Sequence, residues 1–377
     1  MPRENLIAMR IATFSSKLII LLLVLHSAFI QTCQVAPPQR PEKPSADTVA
    51  QKPDTVVSLP TPIPIPIDSV VILPDTVPDI HEKSITICSF NIQFLGHFKK
   101  KDHAALANLL KPYDIVVIQE LVAPPVSGTY PDGTAFSADP EARAFLDAMT
   151  FHGFSYALSD EDTGPVETIH TNNTSTEWWI VFYKDTFVDI ASDLPHGFLA
   201  SDRSANPDFE RVPYAFPFRM DGKDTDFVLI PVHLAPNASA SAKRQSELAA
   251  IQNWIDANDE AENDFIVLGD MNIEDAEELA EITPSGFISL NNECYRTNTL
   301  QNNTANGGAK PYDHVIYRPA FTSEEIDEVF DIKVLNLIDS MKTSWTGSAP
   351  YPGNPYNHNE FKQYYSDHHP VIFRIVE

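Results

Sequence analysis

The stretch Phe265-Ile266-Val267-Leu268-Gly269-Asp270-Met271-Asn272 decides how the rest of the chain is read. Four apolar residues in succession have the length and composition of a strand buried on both faces. A glycine then delivers the chain into Asp270-Met271-Asn272, whose first and last residues are polar. The same sequence pattern recurs from Ser84 onward. Ser84–Phe90 ends at Asn91, Ile115–Ile118 at Gln119-Glu120, and Phe227–Val232 at His233. Tyr312-Asp313-His314 opens a run to Tyr317, Ser366-Asp367-His368-His369 opens Pro370–Val376, and Trp178–Tyr183 is a further apolar run. Residues that ligate metals or move protons thus stand at strand ends, where a twisted sheet gathers them into one cleft. One such residue is an ordinary turn or cap; five or six in one domain form a pattern.

Helical segments lie between these strands. Leu248, Ile251 and Ile255 share one face of a helix over about 239–257. Asp139-Pro140-Glu141 caps a helix running through Ala142–Met149, with proline in its first turn, and Ala104–Leu110 is a shorter helix. The alternation, without internal repeats, predicts one α/β domain over 82–377, with long loops near 121–139, 155–177, 191–210 and 340–365.

Residues 1–33 have a different texture. Arg3, Arg10 and Lys17 precede the apolar run Leu18–Leu25, and small residues follow as far as Cys33. This reads as a secretory signal, and the run is too short to span a bilayer comfortably. Ile30-Gln31-Thr32-Cys33 resembles a loose bacterial lipobox, although Thr32 departs from the usual Gly, Ala or Ser. The expectation is an exported chain, either secreted or tethered to the cell surface through a lipidated Cys33. Residues 34–80 read as a linker: eleven prolines fall between Val35 and Ile80, with no glycine and no aromatic residue. Such chain is extended and packs no core; a proline-rich docking ligand is the alternative.

The 377 residues carry a formal charge of −26. Non-specific nucleic-acid binding is driven by Lys and Arg neutralising phosphates, so this balance weighs against a nucleic-acid substrate without excluding it. Cys88 and Cys294 are the cysteines outside the leader, and they read as two buried thiols, with pairing as the alternative.

Taken in order, Phe90-Asn91-Ile92-Gln93, Ile118-Gln119-Glu120, Pro231-Val232-His233-Leu234, Gly269–Asn272, Tyr312–Ile316 and Ser366–Val371 resemble the motifs of the endonuclease/exonuclease/phosphatase superfamily, deoxyribonuclease-like members above all. The resemblance spans 84–377. It implies a four-layer αββα sandwich, two mixed β-sheets packed face to face and flanked by helices. Carried over residue by residue, it makes Glu120 the principal carboxylate ligand of a divalent metal, with Asn91 and Asp367 beside the same ion. Asp270 would orient or deprotonate the attacking water, and Asn272 would hold a phosphate oxygen or a second ion. His233 and His368 would bracket the phosphate, Asp313 would steady His368, and Glu177 would serve His233. Arg211 resembles a phosphate-contacting arginine, with a surface ion pair as its alternative reading. An all-oxygen shell suits Mg²⁺ or Mn²⁺, with Ca²⁺ as a further candidate, better than Zn²⁺. His97, His152, His314 and His369 are read as loop or packing residues.

The substrate is less legible. Glu177 before an aromatic strand and Arg211-Val212-Pro213 favour the secreted deoxyribonuclease branch, an endonuclease acting on DNA; the chain is expected to be a monomer. Against it, Ser175 stands where that branch carries a base-stacking tyrosine. Phosphodiesterase or phosphatase action on sphingomyelin or inositol phosphates is the alternative, and Trp345 is the nearest candidate for a membrane-touching aromatic. A non-catalytic surface binding module of the same fold remains a third reading.

Overall fold

The computed structural model describes residues 84–165, 168–203, 206–301 and 308–377; the leader and the linker lie outside the described residues. Two mixed sheets dominate. The first runs in the order β14 (Lys333–Val334), β15 (Val371–Val376), β1 (Ser84–Leu95), β2 (Ile115–Leu121), β6 (Trp178–Tyr183), β5 (Ser155–Leu158). The second runs β12 (Ile288–Ser289), β13 (Asp313–Tyr317), β11 (Phe265–Asp270), β10 (Asp226–His233), β9 (Tyr214–Met220), β7 (Val188–Ile190), with β8 (Gly197–Phe198) also paired to β9. A small hairpin joins β3 (Gly128–Thr129) to β4 (Ala135–Phe136). The pairs β1–β2 and β10–β11 are parallel, and the other pairs within the two large sheets are antiparallel.

The period-2 geometry of a strand explains why these segments are apolar throughout. In β2, Val116 and Ile118 face one core while Ile115 and Val117 face another. In β11, Ile266 and Leu268 join the second core, and Phe265 and Val267 a third. The shared core therefore lies between the sheets. The first sheet's outer face is covered by α1 (His103–Leu110), α2 (Pro140–Phe151), α6 (Leu337–Lys342) and α7 (His358–Tyr364). The second is covered by α3 (Ser241–Asp256) and α4 (Ala276–Ile282), while α5 (Pro319–Thr322) follows β13. The result is the expected αββα sandwich. Among the described residues no helix is long and apolar enough to cross a membrane.

Several expectations change. The segments expected as loops hold β3, β4, β5, β8, α7 and the end of α6. The helix α2 begins at Pro140 under an Asp139 cap, whose carboxylate accepts from the Glu141 and Ala142 amides. Cys88 and Cys294 are free, but Cys294 is only partly buried, which corrects the expectation of two buried thiols. Trp345 does not stand clear of the surface. It is half-buried, with its ring 5.0 Å from that of Tyr364 and 5.8 Å from that of Tyr351.

Register sets the site. In the parallel pair His233 stands beside Asp270, and in the antiparallel pair Asp270 stands beside Asp313. The turn after β11 works because residue 269 is glycine: its φ is +133°, and a β-carbon there would collide with the Val232 carbonyl oxygen and crowd Gln119 from the facing sheet. Gly269→Ala is therefore expected to cost about 2–4 kcal/mol, read as a drop in the thermal unfolding midpoint with the helix and strand content unchanged.

Candidate active site

The carboxyl ends of β1, β2, β10 and β11 meet the amino ends of β6, β13 and β15 along one edge of the sandwich. They bring Asn91, Glu120, Glu177, His233, Asp270, Asp313, Asp367 and His368 together. Both histidines are buried, and both point Nε2 at a single oxygen. His233 Nε2 lies 3.6 Å and His368 Nε2 3.4 Å from Asp270 Oδ2. Behind each ring stands a carboxylate: His233 Nδ1–H donates to Glu177 at 2.8 Å, and His368 Nδ1–H donates to Asp313 at 2.7 Å. A carboxylate can only accept, so each ring has its tautomer fixed and its protonated form supported. Arg211 pairs with Glu177 at 2.6 Å.

The electrostatics follow from these contacts. Burial disfavours charge on His233, but Glu177 and Asp270 outweigh burial and Arg211, and its pKa is raised. His368 is raised well above the ordinary histidine value, because Asp313 and Asp270 overcome its burial. Burial pushes against the Glu177 carboxylate too, yet Arg211 and His233 win and hold its pKa low. Glu120 goes the other way. Burial, with Asp367 and Glu177 nearby, pushes it up to about 7, against the pull of His233 and the Asn91 hydrogen bond.

That pressure on Glu120 is a test of whether a cation fits. Asn91 Nδ2 bridges Glu120 (2.8 Å) and Asp270 (2.9 Å), while its Oδ1 accepts from the Gln93 amide at 2.9 Å and keeps a second lone pair. Asp367 takes a hydrogen bond from Gln93 through Oδ2, but its Oδ1 is buried without a partner, as is Gln93 Oε1. Unpartnered oxygens beside a carboxylate strained by burial suit a hard divalent ion. Among the described residues, Glu120, His233 and Asp270 offer three ligand atoms within 4.8 Å of one another. Glu120 is common to this trio and to the expected set. His233 is the weakest member of the trio, since an imidazole nitrogen suits a hard cation less well than oxygen does. The oxygens of Glu120, Asp367 and Asn91 fit a cation better.

The remaining expected residues fall in distinct places. The Asn272 amide N–H donates to Asp270 Oδ1 (2.9 Å), and Asn272 Nδ2 donates to the Leu234 carbonyl (3.1 Å), so it braces the β11 turn beside the site. Arg211 is 7% exposed and its Nη1 has no hydrogen-bond partner, so the alternative of a surface ion pair is corrected to a buried one. His314 points away, sharing a hydrogen bond with Ser289 at 3.0 Å, and desolvation lowers its pKa to about 4. His369 accepts from the Leu337 amide, and desolvation lowers it to about 3. His97 is exposed and His152 partly so.

Three contributors escaped the sequence reading. Gln93, Phe94 and Glu120 all have positive φ, and the Phe94 amide donates to Glu120 Oε2 at 3.0 Å, so the bulge ending β1 is built around the carboxylate. Tyr312 lays its ring 5.9 Å from that of His368. Lys101, 6% exposed, bonds the Tyr365 carbonyl and feels Asp367 and Glu120.

The sequence profile of the Endonuclease/Exonuclease/phosphatase family matches residues 88–368. Deoxyribonuclease gamma of Rattus norvegicus is 26% identical over 196 residues, covering 50% of this chain and 56% of that protein's length. Among solved structures, D. rerio TDP2 complexed with single-strand DNA product has a TM-score of 0.48 at 16% identity, covering 78% of this chain and 98% of that one. A Bacteroides thetaiotaomicron mannosyl-6-phosphatase has a TM-score of 0.49 at 15% identity, covering 78% and 100%.

The Asp313–His368 pair gives a pH signature. Because the folded pKa of His368 is raised, its stabilising contribution is full below the unfolded value near 6.5. It fades as pH climbs through the raised folded value. Asp313→Asn is expected to lower the His368 pKa, seen by NMR titration of the imidazole, and to remove that alkaline loss of stability. A His368 titration unmoved by the substitution contradicts this account.

Proposed function

Because this chain belongs to the endonuclease/exonuclease/phosphatase family, whose members are phosphoric ester hydrolases dependent on divalent metal, we propose that it hydrolyses phosphodiesters. DNA is the substrate, and the chain acts as an exported or surface-tethered, monomeric endonuclease. The observation that carries the chemistry is the convergence of two carboxylate-backed imidazoles on one oxygen of Asp270. Two imidazolium N–H groups facing a phosphate would bind its non-bridging oxygens, on which negative charge builds during attack.

Asp270 is placed to take the proton of the attacking water as the new P–O bond forms. One imidazolium returns a proton to the departing alcohol oxygen as the old P–O bond breaks. Glu177 and Asp313 keep both rings oriented through this exchange, and Arg211 holds Glu177 ionised. Asn91 and Gln93 position the Glu120 and Asp367 carboxylates. When bound there, Mg²⁺ or Mn²⁺ would supply charge neutralisation at the phosphate.

The nuclease reading is supported by the 26% identity to a deoxyribonuclease, and by Glu177 and Arg211 standing as that branch has them. The charge of −26 lends the DNA reading no support, and a bound cation would offset it locally for an anionic substrate. Export and the Cys33 tether rest on the sequence alone; labelled fatty acid incorporated by the chain and lost in Cys33→Ser is the expected result for the tether.

Plasmid nicking dependent on Mg²⁺ or Mn²⁺, abolished by chelator and reduced by about 10³-fold or more in His233→Ala and in His368→Ala, is the expected outcome. Cleavage of sphingomyelin or an inositol phosphate without nicking overturns the nuclease reading. Metal binding with no turnover of any of these substrates favours a binding module.

A further inference from the structure

A cleft of about 520 Å³ opens between the amino end of α1 and the loop 345–349, with Tyr364 of α7 at its wall. We propose that this cleft is a subsite for a phosphate-bearing part of the substrate that lies beyond the scissile bond, with a planar group of the substrate set against its aromatic wall. The inference rests on the phosphodiester reading above and narrows it to a substrate with more than one phosphate.

The chemistry of the lining carries the assignment. In a chain with a formal charge of −26, two consecutive lysines line this one cleft. Lys100 is exposed, its ammonium 5.8 Å from the centre of the Tyr364 ring. Lys101 is almost wholly buried; its ammonium bonds the Tyr365 carbonyl and lies 5.5 Å from the centre of the Phe98 ring. An ammonium has three donors, so it retains capacity for an anion. A buried ammonium with one hydrogen-bond acceptor and one ring face gains from an anion that completes its shell. Its pKa shows the same strain: burial lowers it to about 7, although Asp367 and Glu120 pull it upward.

Other groups define the shape. Trp345 meets Tyr364 edge-on at 5.0 Å, and its indole N–H donates to the Ala349 carbonyl at 2.9 Å, which fixes the loop and leaves a half-buried aromatic wall. Asp102 is the acid in the lining. Its carboxylate caps α1 by accepting from the Ala105 amide at 3.0 Å, so part of its charge is spent on the helix. His103 is committed to Glu141 at 3.0 Å.

Position ties the cleft to the chemistry. Lys101 bonds the Tyr365 carbonyl, and the Asp102 amide bonds that of Tyr364 at 3.0 Å. Two residues beyond Tyr365 stand Asp367 and then His368. The cleft and the proposed catalytic centre therefore lie at the two ends of the short segment 364–368, Tyr364 lining the one and Asp367 and His368 the other.

Direct binding tests this without turnover. Thymidine 5′-monophosphate is titrated into the full chain under chelator, by calorimetry and by tryptophan fluorescence, with thymidine as the uncharged control. The nucleotide is expected to bind and thymidine not to. Lys100→Gln should weaken binding about 10-fold, Trp345→Phe should change the fluorescence response, and His233→Ala should leave the affinity within about 2-fold. Both substituted cleft residues have exposed surface, so folding is checked by the unchanged unfolding midpoint. The proposal is overturned if the nucleotide shows no binding to about 10 mM, if thymidine binds as well, or if His233→Ala abolishes binding while Lys100→Gln does not. Failure of plasmid nicking with this binding intact would count against the DNA reading and not against the subsite.

Discussion

Asp270 is the carboxylate around which the molecule is organised. It ends a strand buried on both faces, and its Oδ2 receives the Asn91 amide and faces the imidazoles of His233 and His368. Such a group is tolerable in the interior only when surrounding donors satisfy it. Here the donors arrive from both sheets: Asn91 from the first, His233 from the second, and His368 from the segment entering β15. The network Glu177–His233–Asp270–His368–Asp313 thus spans the seam between the sheets. Truncating one member leaves a buried charge uncompensated, a loss of about 3–5 kcal/mol in comparable settings, so folding and chemistry draw on the same contacts.

The sheets are arranged to make that seam possible. Parallel pairing of β10 with β11, and of β1 with β2, puts four carboxyl strand ends at one edge, while the antiparallel neighbours β6, β13 and β15 bring their amino ends to the same place. Gly269 lets β11 and β10 approach without a side chain between them. The bulge at Gln93 and Phe94 turns the Phe94 amide onto Glu120 and the Gln93 amide onto Asn91. Non-glycine residues with positive φ at Gln93, Phe94, Glu120 and Asn272 are held by these hydrogen bonds, which is how backbone strain concentrates beside a site.

Strands that pack on both faces were legible in the sequence because burial demands unbroken apolar runs, and the polar residues ending them were legible for the same reason. The strand β9, Tyr214–Met220, was not. Pro217 interrupts it, and a proline inside an apolar run argues against a central strand. The register shows how it is accommodated: Pro217 stands opposite Val228, and its carbonyl accepts from the Ala191 amide. Helices α6 and α7 hide in a segment rich in Pro, Gly and Asn, and they are short enough that capping by Asn336 and Asn357 helps define them more than periodicity does. At the site, side chains at strand ends were legible, whereas Lys101 and Gln93 were not. Their partners lie 264 and 274 residues away in the chain, a separation that leaves no local signature.

The acidity of the chain takes on a different meaning once the site is in view. Glu120, Glu177, Asp270, Asp313 and Asp367 crowd one edge against Arg211 and two histidines, so the centre in its cation-free form is a trap for positive charge. The upward pressure on the Glu120 pKa expresses that deficit. A divalent ion relieves it and reverses the local sign of the field, which a phosphate must meet to enter. On the proposed reading, an acidic protein handles a polyanion through a small region whose sign would be set by a bound cation and the two imidazoles rather than by the surface as a whole. Net charge governs the distant encounter; these few buried groups govern the contact at the phosphorus.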